Sequence, residues 1–152
     1  MAQQNTYSYI ESFVDLIIED KTGKNIFNPQ EKSCRFDIFY ALETGERKLY
    51  FNPKSFSPKG YTIINYDHSI RIFLFIPNKK ENYSYTYFSI NGGELHEIKT
   101  LYKILVEETL QRGSLEGGSI IRDKIWLNNN LIWSASSMEN ASNEIIKVRI
   151  DI

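Results

Sequence analysis

The chain has 152 residues and a mass of 17.8 kDa, which is the size of one domain. Its hydrophobic fraction of 41% and charged fraction of 24% are typical of a globular protein and exclude a disordered chain. Eighteen basic and nineteen acidic residues give a formal net charge of -1, which excludes a strong general attraction to nucleic acid or to an anionic membrane. A single cysteine excludes an internal disulfide framework and a multi-cysteine metal site.

Residue usage favours β structure. There are 21 isoleucines and 21 aromatic residues but only four alanines, and β-branched and aromatic side chains suit strands whereas alanine suits helices. Thirteen asparagines and eight glycines supply turn positions. No stretch approaches the ~20 apolar residues of a membrane-spanning helix. The polar start, Met1 to Thr6, lacks the features of a signal peptide, so either the protein is cytoplasmic or a leader has been removed.

Apolar residues at every second position predict strands along the chain. The segment 7–20 is predicted as one long strand, because Val14, Leu16 and Ile18 alternate with polar residues. Two further single strands are predicted at 83–90 and 144–150. Three hairpins are predicted: 34–42 with 47–52, 61–65 with 70–76, and 120–127 with 131–134. The nearly all-apolar stretch 70–76 is expected to be central in its sheet.

The segment 95–111 fits two periods. Leu95, Ile98, Tyr102 and Leu105 lie at helical spacing, while an alternating set also exists. We favour a strand, because Gly92-Gly93 suits a hairpin turn and the neighbouring segments are strands.

Regularly spaced strands with turns between them indicate a sandwich or a barrel. We therefore predict an all-β fold, a single immunoglobulin-like β-sandwich of about seven to nine mostly antiparallel strands. It is expected to span 1–152 as one domain with residues 1–6 disordered. The runs 52–60, 110–119 and 136–143 are expected to be loops, because they are rich in glycine, proline or small polar residues.

Three segments carry a resemblance. They are Val14-Asp-Leu-Ile-Ile-Glu-Asp-Lys-Thr-Gly-Lys-Asn-Ile-Phe-Asn-Pro29, Lys124-Ile-Trp-Leu-Asn-Asn-Asn-Leu-Ile-Trp133 and Glu144-Ile-Ile-Lys147. Together they resemble a family of small secreted lipoproteins of Bacteroidetes whose function is not known. The resemblance implies a β-sandwich and a location in the cell envelope, and it carries over no catalytic residue. Two departures are the Asn-Asn-Asn loop in place of Asn-Gly, and the absence of a lipid-accepting cysteine near the start, which a trimmed leader would explain.

Tyr83, Tyr85 and Tyr87 form the most informative candidate site. Residues two apart share one face of a strand, so the three rings make a strip about 13 Å long. Such a strip could stack on sugar rings or bind a protein partner. The alternative, which we favour, is that it forms one wall of the core with its hydroxyls at the rim. The same choice applies to Trp126 and Trp133, with core packing favoured.

The other candidate groups have more ordinary interpretations. His68 and His96 could act as general bases, but both are expected to be solvated surface residues near turns. Cys34 is expected to be a buried, inert thiol beside Phe36. Asp15, Glu19 and Asp20 could offer oxygens to Ca²⁺, although their spacing fits no known loop and a solvated acidic edge is favoured.

These patterns predict a non-enzymatic protein that acts as a binding or scaffolding module for a glycan or a surface protein, and the resemblance implies that it lies in the cell envelope. The ligand-binding residues would be Tyr83, Tyr85 and Tyr87, with no metal, no cofactor and no nucleic-acid partner. A lipid anchor would be present only in an untrimmed precursor; without such a leader the protein would be cytoplasmic. The alternative is a small hydrolase or lyase on a β scaffold, in which His68 or His96 meets a carboxylate such as Asp67 or Glu97.

Overall fold

The computed structural model describes residues 7–10, 12–28, 34–42, 44–75, 82–105, 118–135 and 144–151. Within these ranges the chain forms eleven strands and no α-helix, and therefore has no helix that could cross a membrane. In chain order the strands are β1 (Tyr7–Ile10), β2 (Phe13–Glu19), β3 (Phe36–Ala41), β4 (Arg47–Leu49), β5 (Tyr61–Ile64), β6 (Ser69–Phe73), β7 (Tyr83–Ile90), β8 (His96–Leu105), β9 (Gly118–Leu127), β10 (Asn130–Ser134) and β11 (Ile145–Arg149).

The strands form two sheets. The large sheet has seven strands in the order β1-β9-β8-β7-β3-β4, with β10 also paired to β9. The small sheet has four strands in the order β11-β2-β6-β5. All neighbouring strands are antiparallel except β1 with β9 and β11 with β2, which are parallel.

One hydrophobic core lies between the two sheets. Alternate residues of each strand point inward, as the period of two requires. The fully buried members include Val14, Leu16, Ile18, Ile70 and Ile72 from the small sheet and Phe36, Ile38, Phe88, Ile98, Tyr102 and Ile125 from the large sheet. Phe36 stacks on Phe88 at 5.1 Å between ring centroids and meets Phe27 and Tyr61 edge-on.

The predicted all-β sandwich is confirmed, with eleven strands where seven to nine are expected. One strand is gained because the predicted strand 7–20 divides into β1 and β2, and the predicted strand 47–52 is shortened to β4, Arg47–Leu49. The immunoglobulin-like arrangement stays a prediction. The expected hairpins β3–β4, β5–β6 and β9–β10 are present, β6 lies between two other strands, and β11 closes the small sheet with Ile146, Val148 and Ile150 buried.

The prediction of one long strand over 7–20 is wrong. β1 belongs to the large sheet and β2 to the small sheet, so the chain passes from one sheet to the other around Ser12. The Ser12 carbonyl oxygen accepts a hydrogen bond from the backbone N–H of Leu74 at 2.7 Å. The alternation of side chains fixes the inward face of each strand but not the sheet that the strand joins.

The strand interpretation of the 95–111 segment is confirmed for His96–Leu105, which form β8, and residues 106–111 lie outside the described residues. The turn between β9 and β10 contains two residues, not three. Asn128 and Asn129 have φ angles of 49° and 68°, as a tight hairpin turn requires, and Asn130 already pairs with Leu127. The expected disorder of 1–6, the expected loop at 136–143 and most of the glycine-rich stretch lie outside the described residues.

Candidate functional site

The tyrosine strip lies on the outer face of the large sheet. In β7, Thr86, Phe88 and Ile90 point into the core, so the alternate residues point away from it. Tyr83 and Tyr85 are 38% and 37% exposed. The favoured expectation that the strip forms a wall of the core is therefore wrong, and the side of β7 that reaches the core includes small hydroxyl residues instead.

The neighbouring strands add a lysine and a tryptophan to this face. Strand pairing places Lys99 of β8 opposite Tyr85 and Trp126 of β9 opposite Lys99. The Lys99 Nζ atom lies 4.6 Å from the ring centroid of Tyr83, 5.3 Å from that of Trp126 and 6.0 Å from that of Tyr85. The rings of Tyr83 and Trp126 are 6.3 Å apart. We call Tyr83, Tyr85, Trp126 and Lys99 the aromatic platform.

The platform presents charge and hydrogen-bonding groups that the protein does not use. An ammonium over aromatic rings is attracted by their negative faces, which holds the flexible lysine stem in place. Within the described ranges, Lys99 has no carboxylate partner within salt-bridge distance, and the hydroxyls of Tyr83 and Tyr85 make no hydrogen bond. The cation and both hydroxyls are thus available to a ligand.

Tyr87 extends the strip into a groove. Its side chain is only 7% exposed, although it lies on the outer face, because the Arg47 guanidinium covers its ring at 4.4 Å. A groove of about 270 Å³ adjoins it, lined by Arg47, Tyr87, Leu95, Glu97, Asn128 and Asn129. Lys99 and Arg47 thus place two cations along one line of tyrosines.

The two tryptophans have different environments. Trp133 is buried in the core, as predicted for it, and its ring lies 5.0 Å from the Arg122 guanidinium carbon. Trp126 is half-buried on the outer face with Tyr83, so the core interpretation is wrong for this residue.

His96 is buried, which corrects the prediction of a solvated residue. It begins β8, and its ring stacks on that of Phe88 at 5.1 Å. The Asn128 amide holds it in place: Oδ1 of Asn128 accepts the backbone N–H of Glu97 at 2.8 Å, so Nδ2 faces Nδ1 of His96 at 3.0 Å. An amide nitrogen only donates, so Nδ1 accepts and the proton of the neutral ring is on Nε2. Burial lowers the pKa of His96, while Glu94 opposes that shift.

A larger pocket of about 420 Å³ lies beside His96, between the end of the large sheet and β11. Its charged lining residues are Glu94, Lys147, Arg149 and Asp151. The hydrogen bond to the His96 ring comes from the Asn128 amide and not from a carboxylate.

His68 lies in the turn between β5 and β6 of the small sheet. It has a φ of 56° and is half-buried, and its carbonyl oxygen accepts a hydrogen bond from Asn25 Nδ2 at 3.1 Å. Cys34 precedes β3 and packs against the core cluster while remaining partly exposed. The prediction that Cys34 is buried holds only in part, and the partial burial raises the pKa of its thiol.

The three acidic residues near β2 are occupied by protein groups. Asp15 is buried and receives two hydrogen bonds from Arg71, and Glu19 lies 3.7 Å from Arg149. Asp20 accepts hydrogen bonds from Thr22 and from the Lys24 backbone N–H, which lower its pKa. The predicted solvated edge is wrong for Asp15, because Arg71 lies directly opposite it in β6. In the part of the chain that the structure describes, no group of three metal-ligating side chains occurs.

Comparison with protein-family models, with curated proteins and with solved structures gave no significant match. The resemblance to Bacteroidetes lipoproteins therefore stays a prediction.

Sequence reasoning missed Lys99 and Arg47 as members of the candidate site. The signal for Lys99 was the Gly92-Gly93 turn: once β7 and β8 are paired across it, Lys99 falls opposite Tyr85. Arg47 offered no such signal, because its position over Tyr87 depends on β4 joining the edge of the same sheet.

Proposed function

We propose that this protein is a binding module of the cell envelope that holds a glycan containing acidic sugars on the outer face of its large sheet. The observation that carries the proposal is the Lys99 ammonium set among the rings of Tyr83, Tyr85 and Trp126, where no carboxylate neutralises it in the described chain. The envelope location rests on the resemblance of the chain to secreted lipoproteins.

The rings provide the apolar part of the recognition. Sugar rings have C–H faces that pack on flat aromatic side chains, and tyrosine adds a hydroxyl at the edge of the contact. Tyr83 and Tyr85 lie on consecutive outward positions of a regular strand. Because the strand fixes their backbone spacing, no backbone ordering is needed when a ligand binds.

The cations provide the preference for acidic sugars. A carboxylate or sulfate on the glycan would pair with the Lys99 ammonium, whereas the groove beside Tyr87 offers both the Arg47 guanidinium and the Glu97 carboxylate. Charge-assisted hydrogen bonds of this kind are stronger than neutral ones, so they discriminate against neutral glycans.

Titration calorimetry with uronic-acid oligosaccharides and with matched neutral oligosaccharides tests the proposal. We expect Tyr85→Ala to weaken binding of the acidic glycan about tenfold or more, because it removes a central aromatic contact. Lys99→Met keeps the apolar stem and should remove the preference for acidic over neutral sugars. Tyr66→Ala, which removes an exposed ring from the β5–β6 turn of the small sheet, is the control and should change nothing.

Two results would overturn the proposal. If neither class of oligosaccharide binds, the platform does not recognise glycans, and a protein ligand becomes the better hypothesis. If Tyr85→Ala unfolds the domain, the strip serves packing and not binding. Fractionation of cells that produce the natural precursor tests the envelope location separately.

A second candidate function, a small hydrolase or lyase, has one observation in its favour. His96 lines the 420 Å³ pocket together with Glu94 and Asp151. If the pocket were catalytic, His96→Gln would abolish turnover while leaving glycan binding at the aromatic platform intact.

A further inference from the structure

We infer that the loop between β4 and β5 is a docking site for an anionic lipid surface. The segment Phe51–Gly60, which we call the β4–β5 loop, presents Phe56 fully exposed and Phe51 at 64% exposure. Exposing two phenylalanine rings to water is unfavourable in free energy. A loop that keeps both rings exposed is therefore typical of a binding surface.

The charged residues within the loop, Lys54 and Lys59, are all basic. From 47 to 66 the sequence contains Arg47, Lys48, Lys54 and Lys59 and no acidic residue, a local charge of +4 in a chain whose net charge is -1. The three lysines are exposed, and none of them makes an ion pair with another described residue. The loop itself therefore carries only basic charge, from Lys54 and Lys59, in a chain that is near neutral as a whole.

The loop is held in a defined shape. The Asn52 N–H donates to the Pro58 carbonyl oxygen at 2.8 Å and closes the loop at its neck, and the Ser57 hydroxyl lies 2.6 Å from that of Thr62. Its ends are anchored to both sheets, because the Tyr50 N–H donates to the Ile38 carbonyl oxygen and the Phe73 N–H donates to that of Gly60. The exposed rings are thus presented by a fixed backbone and need no ordering on binding.

Exposed aromatic rings with surrounding lysines match the chemistry of an anionic bilayer. Phenylalanine rings enter the boundary between headgroups and acyl chains, while ammonium groups attract anionic headgroups. A neutral protein surface would satisfy the rings but not Lys54 and Lys59, which is why we favour a lipid surface over a protein groove. Each lysine near such a surface strengthens binding about fivefold at physiological ionic strength.

Co-sedimentation of the full chain with vesicles tests the inference. We expect binding to phosphatidylcholine vesicles that contain 30% phosphatidylglycerol, and no binding to phosphatidylcholine alone. The double variant Phe51→Ser/Phe56→Ser should lose binding by more than tenfold, and Lys54→Ser/Lys59→Ser should lose about twenty-five-fold. Because all four side chains are exposed, the melting temperature should stay at that of the unchanged protein.

The controls separate this site from the aromatic platform. Tyr66→Ser removes a ring whose exposure lies between those of Phe51 and Phe56, beyond the opposite end of β5, and should leave vesicle binding unchanged, as should Tyr85→Ala. Vesicle binding that survives loss of both phenylalanines, or that is equal for neutral and anionic vesicles, would overturn the inference. Absence of any vesicle binding would also overturn it and would indicate a protein partner for the loop.

Discussion

The ion pair between Asp15 and Arg71 offers a quantitative test of the small sheet. The two residues lie directly opposite each other on β2 and β6, and the guanidinium donates to both carboxylate oxygens, at 2.8 and 3.0 Å. Arg71 also lies 4.0 Å above the Phe13 ring. The perturbation is a double-mutant cycle in which each partner, and then both, are replaced by alanine.

The expected coupling energy follows from geometry and exposure. The Asp15 side chain keeps 10% of its surface and that of Arg71 keeps 38%, so the pair is neither exposed nor fully buried. Exposed pairs contribute about 0–1 kcal/mol, whereas removing one partner of a buried pair costs about 3–5 kcal/mol. The bidentate contact raises this pair above the exposed range, and we expect a coupling of about 1–2 kcal/mol.

Urea unfolding of the four proteins measures the coupling, and a second cycle on Glu19 and Arg149 is the matched control. In that pair the acid is similarly buried, since 16% of the Glu19 side chain is exposed. The two charged groups are 3.7 Å apart, however, and the Arg149 side chain is 62% exposed. Its coupling should stay below about 0.5 kcal/mol. Equal couplings in the two cycles would refute the argument that two short hydrogen bonds and partial burial determine the strength of the first pair.

Two further predictions concern His96 and Gly60. In the folded protein the pKa of His96 is below its usual value of 6.5, so the unfolded chain binds more protons at mildly acidic pH. The stability contributed by the neutral ring is therefore complete above about pH 6.5 and declines as the pH falls below it. His96→Gln should flatten the curve of unfolding free energy between about pH 7 and 5, and an unchanged slope would show that another group titrates. Gly60 has a φ of +85°, and an added Cβ would lie 3.1 Å from Tyr50, so Gly60→Ala should lower the unfolding free energy by about 2 kcal/mol in a thermal unfolding experiment. Gly45 has a φ of +88° and open space around it, so Gly45→Ala should lower the unfolding free energy only by the cost of the unfavourable φ. Equal losses would show that the contact with Tyr50 contributes nothing.

Most of the strands could be predicted from the sequence because their inward faces are apolar at every second position. Val14, Leu16 and Ile18 in β2 and Ile146 and Val148 in β11 follow this rule and are buried. The pattern is local, however, and carries no information about the partner strand. That β11 runs parallel to β2, and that β1 leaves the small sheet for the large one, depends on contacts between residues more than a hundred positions apart.

The candidate site could be predicted only in part. The alternation of side chains along a strand established that the three tyrosines share a face. The opposite face of β7 begins with Ser84 and Thr86, and the polarity of these two residues made that face a poor candidate for the core. Both are nevertheless buried, and Ser84 lies opposite the buried Thr100. His96 was misplaced for a similar reason: its burial arises from Phe88 and Asn128, which belong to two other elements.

The two parallel pairings determine how the domain would respond to mechanical force. A pull on the two ends of the chain draws β1 along β9 and β2 along β11, in opposite directions within each pair. The backbone hydrogen bonds between Asp15–Glu19 and Ile145–Arg149 would then be loaded side by side instead of opening one after another. Stretching from its termini should therefore meet high resistance, whereas a pull applied across the β5–β6 hairpin would open its ladder stepwise at much lower load.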